Sequence, residues 1–98
     1  MASAATAERA GNLYLARTEY LEAARHNQPG AAAKAEQLRL QLVKIHSDKA
    51  RSAFARQDLN STIDNWQRVL ELDPGNATAR FEIERARELK ERWKKLPK

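Results

Sequence analysis

The segment between residues 59 and 76 constrains the fold more than any other part of the chain. Its large apolar residues are Leu59, Ile63, Trp66 and Leu70, which follow one another at spacings of four, three and four residues. That spacing places them on one side of an α-helix. Asp73-Pro74-Gly75-Asn76 then ends the helix, because proline cannot continue it and asparagine is a common cap of the next one. The segment predicts an amphipathic helix that packs on one side.

Turn signals divide the rest of the chain into segments with the same helical spacing. The other breaks fall at Gly11-Asn12, Gln28-Pro29-Gly30 and residues 57–60. Between the breaks, the apolar spacing predicts helices over 13–27, 31–56 and 60–72, and a last helix after Asn76. Strong helix formers dominate, and the chain has only three Gly and three Pro. We therefore expect an all-α protein whose short turns make neighbouring helices antiparallel.

Length and composition set the class of protein. A chain of 98 residues is expected to form one domain over 1–98. It has no cysteine, which rules out disulfides and thiolate metal sites and leaves the compartment open. No apolar run is long enough to span a membrane. The start, "MASAATAERAG", lacks a continuous apolar stretch, so we expect no signal peptide and take this start as a boundary inside a larger protein.

Positive charge is concentrated at the end of the chain. The formal net charge is +5, and residues 84–98 carry seven Lys or Arg against three Glu. Such a tail can contact nucleic acid or acidic lipid. It also suits the negative end of a helix dipole, and the pairs Glu88/Arg92 and Glu91/Lys95 have the spacing of ion pairs along a helix. Both interpretations stay open.

The sequence offers little material for catalysis. His26 and His46 are the only histidines, and no HExxH spacing or glycine-rich phosphate loop occurs. His46, Ser47 and Asp48 are triad residue types, but neighbours on a helix point about 100° apart and cannot form a relay. We expect a protein that is not an enzyme and holds neither a cofactor nor a metal.

The stretch "FARQDLNSTIDNWQRVLELDPGN" resembles the second half of a tetratricopeptide repeat, a unit of about 34 residues with two antiparallel helices. With Pro74 at the family's closing proline, Trp66 takes its aromatic position. Small-residue positions fall on Ala50, Thr62 and Val69. The run "VLELDPGNATA" is especially similar to the junction between two such repeats, of the bacterial type. The resemblance implies helices in close contact, with the aromatic ring wedged between successive repeats.

A weaker copy of this pattern precedes it. In "AGNLYLARTEYLEAARHNQPG", Ala16 parallels Thr62 and Tyr20 parallels Trp66, 46 residues earlier. The resemblance thus implies antiparallel hairpins stacked as a short tetratricopeptide-like superhelix. It implies an irregular repeat over 3–29 whose first helix is nearly absent, a repeat over 31–73 with an extended first helix, and a capping helix over 77–96.

By the same resemblance, the chain is expected to be a non-catalytic protein–protein interaction scaffold, binding a peptide or protein segment on the concave face lined by its first helices. Domains similar to this occur in bacterial assembly, secretion and envelope proteins, and both the cytoplasm and the bacterial cell envelope stay open. Phe81 lies opposite the apolar stripe of its helix and is a candidate anchor. Basic residues around it suit an acidic partner. The candidate partner-binding residues are Lys44, Ser47, Arg51, Phe54, Phe81 and Arg85.

Two alternatives belong to other classes of protein. A basic nucleic-acid or anionic-surface binder would use the cations of the last helix, which are Arg85, Arg87, Lys90, Arg92, Lys94 and Lys95. A self-associating module would cover the apolar ends that incomplete repeats leave open. We expect a protein or peptide partner in preference to nucleic acid, with a homo-oligomer left open.

Overall fold

The computed structural model describes residues 2–97 and shows an all-helical chain, as the sequence predicts. Its five helices are α1 (Ala2–Arg9), α2 (Leu13–Arg25), α3 (Ala31–Ala55), α4 (Leu59–Leu72) and α5 (Ala77–Lys94). No strand occurs among these residues. None of the described helices is long and apolar enough to cross a membrane.

Helix α1 is the element that the sequence pattern does not reveal. The resemblance implied that the first helix of the N-terminal repeat is nearly absent, but residues 2–9 form a helix of eight residues. Its Ala4 and Ala7 are buried. Alanine has the highest helix propensity, but its methyl groups do not form the stripe of large apolar residues by which a buried helix face is recognised.

The turns before α2 and before α4 have the same construction. In the first, Asn12 N–H donates to Ala7 C=O over 2.9 Å, and in the second Asp58 N–H donates to Ala53 C=O, also over 2.9 Å. The residue before each donor has a left-handed backbone, with φ 80° at Gly11 and 63° at Gln57. Both turns are therefore Schellman motifs, which close the end of one helix just before the next begins.

The residue after each left-handed position caps the following helix. The Asn12 side chain accepts a hydrogen bond from Leu15 N–H, and the Asp58 side chain accepts one from Ser61 N–H, each over 3.1 Å. These caps satisfy backbone donors that a helix start leaves without a partner. The two turns thus share the closing hydrogen bond, the left-handed residue and the cap, 46 positions apart.

The chain divides into two compact units, and the division falls inside α3, after Leu42. The first unit contains α1, α2 and the start of α3. Its core is built mainly from alanine, and consists of Ala4, Ala7, Ala16, Tyr20, Ala23, Ala31, Ala35 and Leu38. Tyr20 donates a hydrogen bond to Glu8 over 3.0 Å. Burial, together with that hydrogen bond, raises the pKa of Tyr20.

The second unit contains the rest of α3, α4 and α5. Its core consists of Ala50, Trp66, Val69, Ala79 and Ile83, with Val43, Ile63 and Leu70 partly buried against it.

Burial in the second unit departs from the predicted apolar stripes in two places. In α4, Leu59 and Trp66 are buried as predicted, but Ile63 and Leu70 are only half-buried, and the other buried side chains are Thr62, Val69 and Leu72.

The second place is the end of α5. Ala79, Ile83 and Ala86 are buried, but Trp93, in the same register, is 42% exposed. It lies two turns beyond Ala86, the last buried position of the helix.

Candidate partner-binding site

All six candidate binding residues lie in the second unit, and the structure brings three of them together. Arg51 and Phe54 project from α3, and Arg85 projects from α5. They line a cavity of about 170 Å³ that is completed by Trp66, Thr78 and Glu82. We call these six cavity-lining residues the arginine–aromatic site.

Arg51 lies over the ring of Trp66. The Arg51 Cζ atom is 5.3 Å from the ring centroid, within the range of a cation–π contact. Trp66 is only 2% exposed, because its ring belongs to the core of the second unit. The ring under this guanidinium is therefore held in place by the core.

Arg85 repeats the arrangement over a second ring. Its Cζ atom is 4.4 Å from the centroid of Phe54, which is half-buried. Arg85 Nε also lies 3.7 Å from a carboxylate oxygen of Glu82, one turn earlier on α5. An arginine guanidinium over a ring can still donate its N–H groups to acceptors. The site therefore presents two cations over aromatic rings. Each also lies within ion-pair distance of a carboxylate of the chain itself, with Glu82 beside Arg85 and Asp48 beside Arg51.

Lys44 belongs to a short chain of ion pairs beside the site and does not line the cavity. Lys44 Nζ lies 2.8 Å from one Asp48 oxygen, and Arg51 lies 3.6 Å from the other. The hydrogen bond from Lys44, aided by the positive charges of Lys44 and Arg51, lowers the pKa of Asp48. Asp48 is thus an anionic link between the two cations.

Ser47 and Phe81 have opposite surroundings. Ser47 is 8% exposed, so little of it is available to a partner. Phe81 is 62% exposed, and lies one turn along α5 from both Thr78 and Arg85. It provides an apolar surface beside the cavity.

The sequence pattern places Trp66 on the packed side of α4 and does not single out Glu82. Trp66 is indeed buried, yet its ring also lines the cavity under Arg51. The signal for Glu82 is its position three residues before Arg85, a spacing at which opposite charges meet on a helix.

The triad-type residues of α3 are separated by their contacts. His46 is buried, and its Nδ1 lies 3.0 Å from Asn65 Oδ1. Asn65 in turn donates to Ser61 C=O over 2.9 Å. Asp48 faces Lys44 instead of His46. Within residues 2–97, no group of His, Asp or Glu side chains is arranged to hold a metal ion.

Ion pairs along α5 engage three of its cations. Arg85 pairs with Glu82, Arg87 with Glu84, and Lys94 with Glu91, at 3.7, 3.6 and 3.2 Å. Each pair spans three residues. The ion pair that the sequence spacing predicts between Glu91 and Lys95 is therefore wrong, because Glu91 pairs with Lys94.

Comparisons with protein-family models, curated proteins and solved structures find no match to this chain.

Proposed function

We propose that this chain is a non-catalytic protein-interaction module that binds an acidic segment of a partner protein at the arginine–aromatic site. The observation that carries the proposal is the pair of guanidiniums lying over the rings of Trp66 and Phe54 around one cavity. Carboxylates accept paired hydrogen bonds from the planar edge of arginine. Two such edges at one cavity favour a carboxylate-bearing side chain.

Pre-orientation strengthens this argument. A free arginine side chain loses rotamer freedom when it binds, and that loss weakens binding. In this site, Arg51 and Arg85 already rest on aromatic rings at 5.3 and 4.4 Å. Part of their freedom is therefore lost during folding instead of during binding.

The size of the cavity favours a side chain over a small-molecule ligand. Its volume is about 170 Å³, whereas sites for drug-sized ligands commonly measure about 300–1,000 Å³. We infer that one acidic side chain enters the cavity while the rest of the partner segment lies across the surface. Phe81, 62% exposed and next to the cavity, would bind an apolar residue of that segment.

The tetratricopeptide-like architecture is part of the same proposal. Support comes from the burial of the small-residue positions, since Ala50, Thr62 and Val69 are each 0% exposed. The matched turns before α2 and α4 also support a repeated hairpin. As a module of this kind, the chain would act within a larger protein of bacterial type and hold a partner in place.

A peptide-display selection against the purified chain tests the binding function. We expect enrichment of peptides in which one or two acidic residues lie near an apolar residue. The double variant Arg51→Glu with Arg85→Glu should lose these peptides and keep its far-ultraviolet circular dichroism. Phe81→Ala should weaken the same peptides without abolishing them.

A matched control separates site chemistry from net charge. Lys90→Glu with Lys95→Glu changes the charge by the same amount, at one residue in α5 and one just after it, but neither lysine lines the arginine–aromatic site. The control should retain the selected peptides. Selection of neutral or basic peptides, or equal loss in both double variants, would overturn the proposal.

A further inference from the structure

Helix α2 has an exposed apolar stripe that the arginine–aromatic site does not involve. Tyr14, Leu15 and Leu21 are 43, 46 and 39% exposed. Residues three, four and seven apart lie on one side of a helix, so these side chains share a surface with Thr18 and Glu22. We call these five residues the α2 stripe.

Helix α4 serves as an internal reference for this stripe. The turns before α2 and α4 match 46 positions apart, so the residues of the two helices can be compared one by one. At the positions of Tyr14, Leu15 and Leu21, helix α4 has Asn60, Ser61 and Gln67. The hairpin of α4 therefore forms without apolar residues there, and the exposed parts of Tyr14, Leu15 and Leu21 on α2 are available for a contact outside the hairpin.

A depression lies beside the stripe within the first unit. Leu15 lines it together with Ala7, Ala10 and three polar residues, and its volume is about 530 Å³. The short alanine side chains leave room at the surface for a larger apolar group. A leucine presented by another helix would bury its side chain there.

We propose that the α2 stripe is a self-association surface, on which α2 of a second copy of this chain docks antiparallel about a twofold axis at Thr18. In that arrangement, residues equally distant from position 18 face each other, as isologous contacts require. Leu15 then meets Leu21 of the second copy, and Tyr14 meets its Glu22. Each contact occurs twice.

The charges of the helix favour a second copy over a strongly charged partner. Glu22 and Arg25 pair with each other over 3.1 Å and together contribute no net charge. A parallel arrangement would place Glu22 against Glu22, whereas the antiparallel arrangement places it against a tyrosine hydroxyl. Thr18, on the axis, donates its hydroxyl to Tyr14 C=O over 3.0 Å, so its donor is satisfied inside its own helix.

Cross-linking of single cysteines tests the arrangement directly, because the chain has no cysteine of its own. Thr18→Cys is expected to form a disulfide-linked dimer under mild oxidation. Asp64→Cys, the equivalent position on α4, should do so far more slowly. Leu15→Cys mixed with Leu21→Cys should cross-link faster than either variant alone. Equal rates for Thr18→Cys and Asp64→Cys would overturn the proposal.

Sedimentation equilibrium provides a second test that needs no cysteine. The wild-type chain should show a concentration-dependent shift to twice its monomer mass. Leu15→Ser with Leu21→Gln, which copies the residues of α4, should raise the dimer Kd about tenfold or more while the helical signal persists. The control Gln67→Ala should leave Kd unchanged. A wild-type chain that stays monomeric at about 1 mM, or a double variant with the wild-type Kd, would refute the dimer.

Discussion

Replacing Gly11 with alanine should destabilise the protein through backbone conformation alone. Gly11 has φ 80°, and a Cβ atom built on it would meet nothing within 4 Å. No steric clash is therefore involved. The left-handed conformation destabilises the folded chain by about 1–2 kcal/mol when the residue has a side chain. The lower conformational entropy of alanine in the unfolded chain offsets about 0.4–1 kcal/mol of this. We expect a net loss in the free energy of unfolding of about 1 kcal/mol.

Gly75 provides a control with the opposite expected sign. It also has nothing within 4 Å of a built Cβ atom, but its φ lies outside the left-handed region. Gly75→Ala should therefore stabilise the chain by about 0.4–1 kcal/mol, through the unfolded state alone.

Urea unfolding followed by circular dichroism measures both changes. The midpoints should move in opposite directions while the slope of free energy against urea stays the same, since the surface exposed on unfolding is unchanged. A shift of both variants in the same direction, or a Gly11→Ala variant as stable as the wild-type chain, would contradict a backbone origin of the two changes.

Three further perturbations test the core, a cap and the binding site. Val69→Ala removes two methyl groups from a side chain with 0% exposure. It should lower the free energy of unfolding in urea by about 2 kcal/mol. A decrease below about 0.5 kcal/mol would contradict the place of Val69 in the core. The hydrogen bond from Ser61 N–H lowers the pKa of Asp58 below its ordinary value of 3.8. The ionised carboxylate therefore contributes its full stabilisation above pH 3.8, and this contribution is lost as the pH falls through the lowered pKa of the folded chain. Asp58→Asn, which copies the Asn12 cap, should therefore unfold as the wild type does at pH 7 and lose less stability at pH 3; an identical acid loss in both would rule out this origin. Glu82→Gln removes the carboxylate that faces Arg85, and should tighten binding of an acidic peptide in a titration, whereas weaker binding would show that Glu82 itself contacts the partner.

The helices could be predicted because large apolar residues and turn residues each leave a clear pattern. The stripe through Trp66 and the stop at Pro74 define α4 to within one residue at its start. Helix α1 could not be predicted in this way, because its buried positions are alanines, which do not stand out from the small residues at its exposed positions. Trp93 fits the α5 pattern but is 42% exposed. The spacing of apolar residues on one helix does not show where the neighbouring helices end, so it could not predict this exposure.

The candidate site was only partly predictable for a similar reason. Arg51, Phe54 and Arg85 could be chosen because they fall on first-helix positions implied by the tetratricopeptide resemblance. Periodicity does not reveal that Arg51 stacks on Trp66, since that contact joins two helices. The burial of Ser47 likewise depends on packing that no local pattern encodes.

The most direct test of the account is the affinity of a selected acidic peptide for the wild-type chain and for Arg51→Lys with Arg85→Lys. Lysine keeps the charge but loses the planar guanidinium that stacks and binds carboxylates in pairs. Fluorescence anisotropy with the labelled peptide should show Kd rising about tenfold or more in the double variant, with its circular dichroism unchanged. An unchanged Kd would show that net charge alone attracts the peptide, and would contradict the arginine–aromatic site as the binding surface.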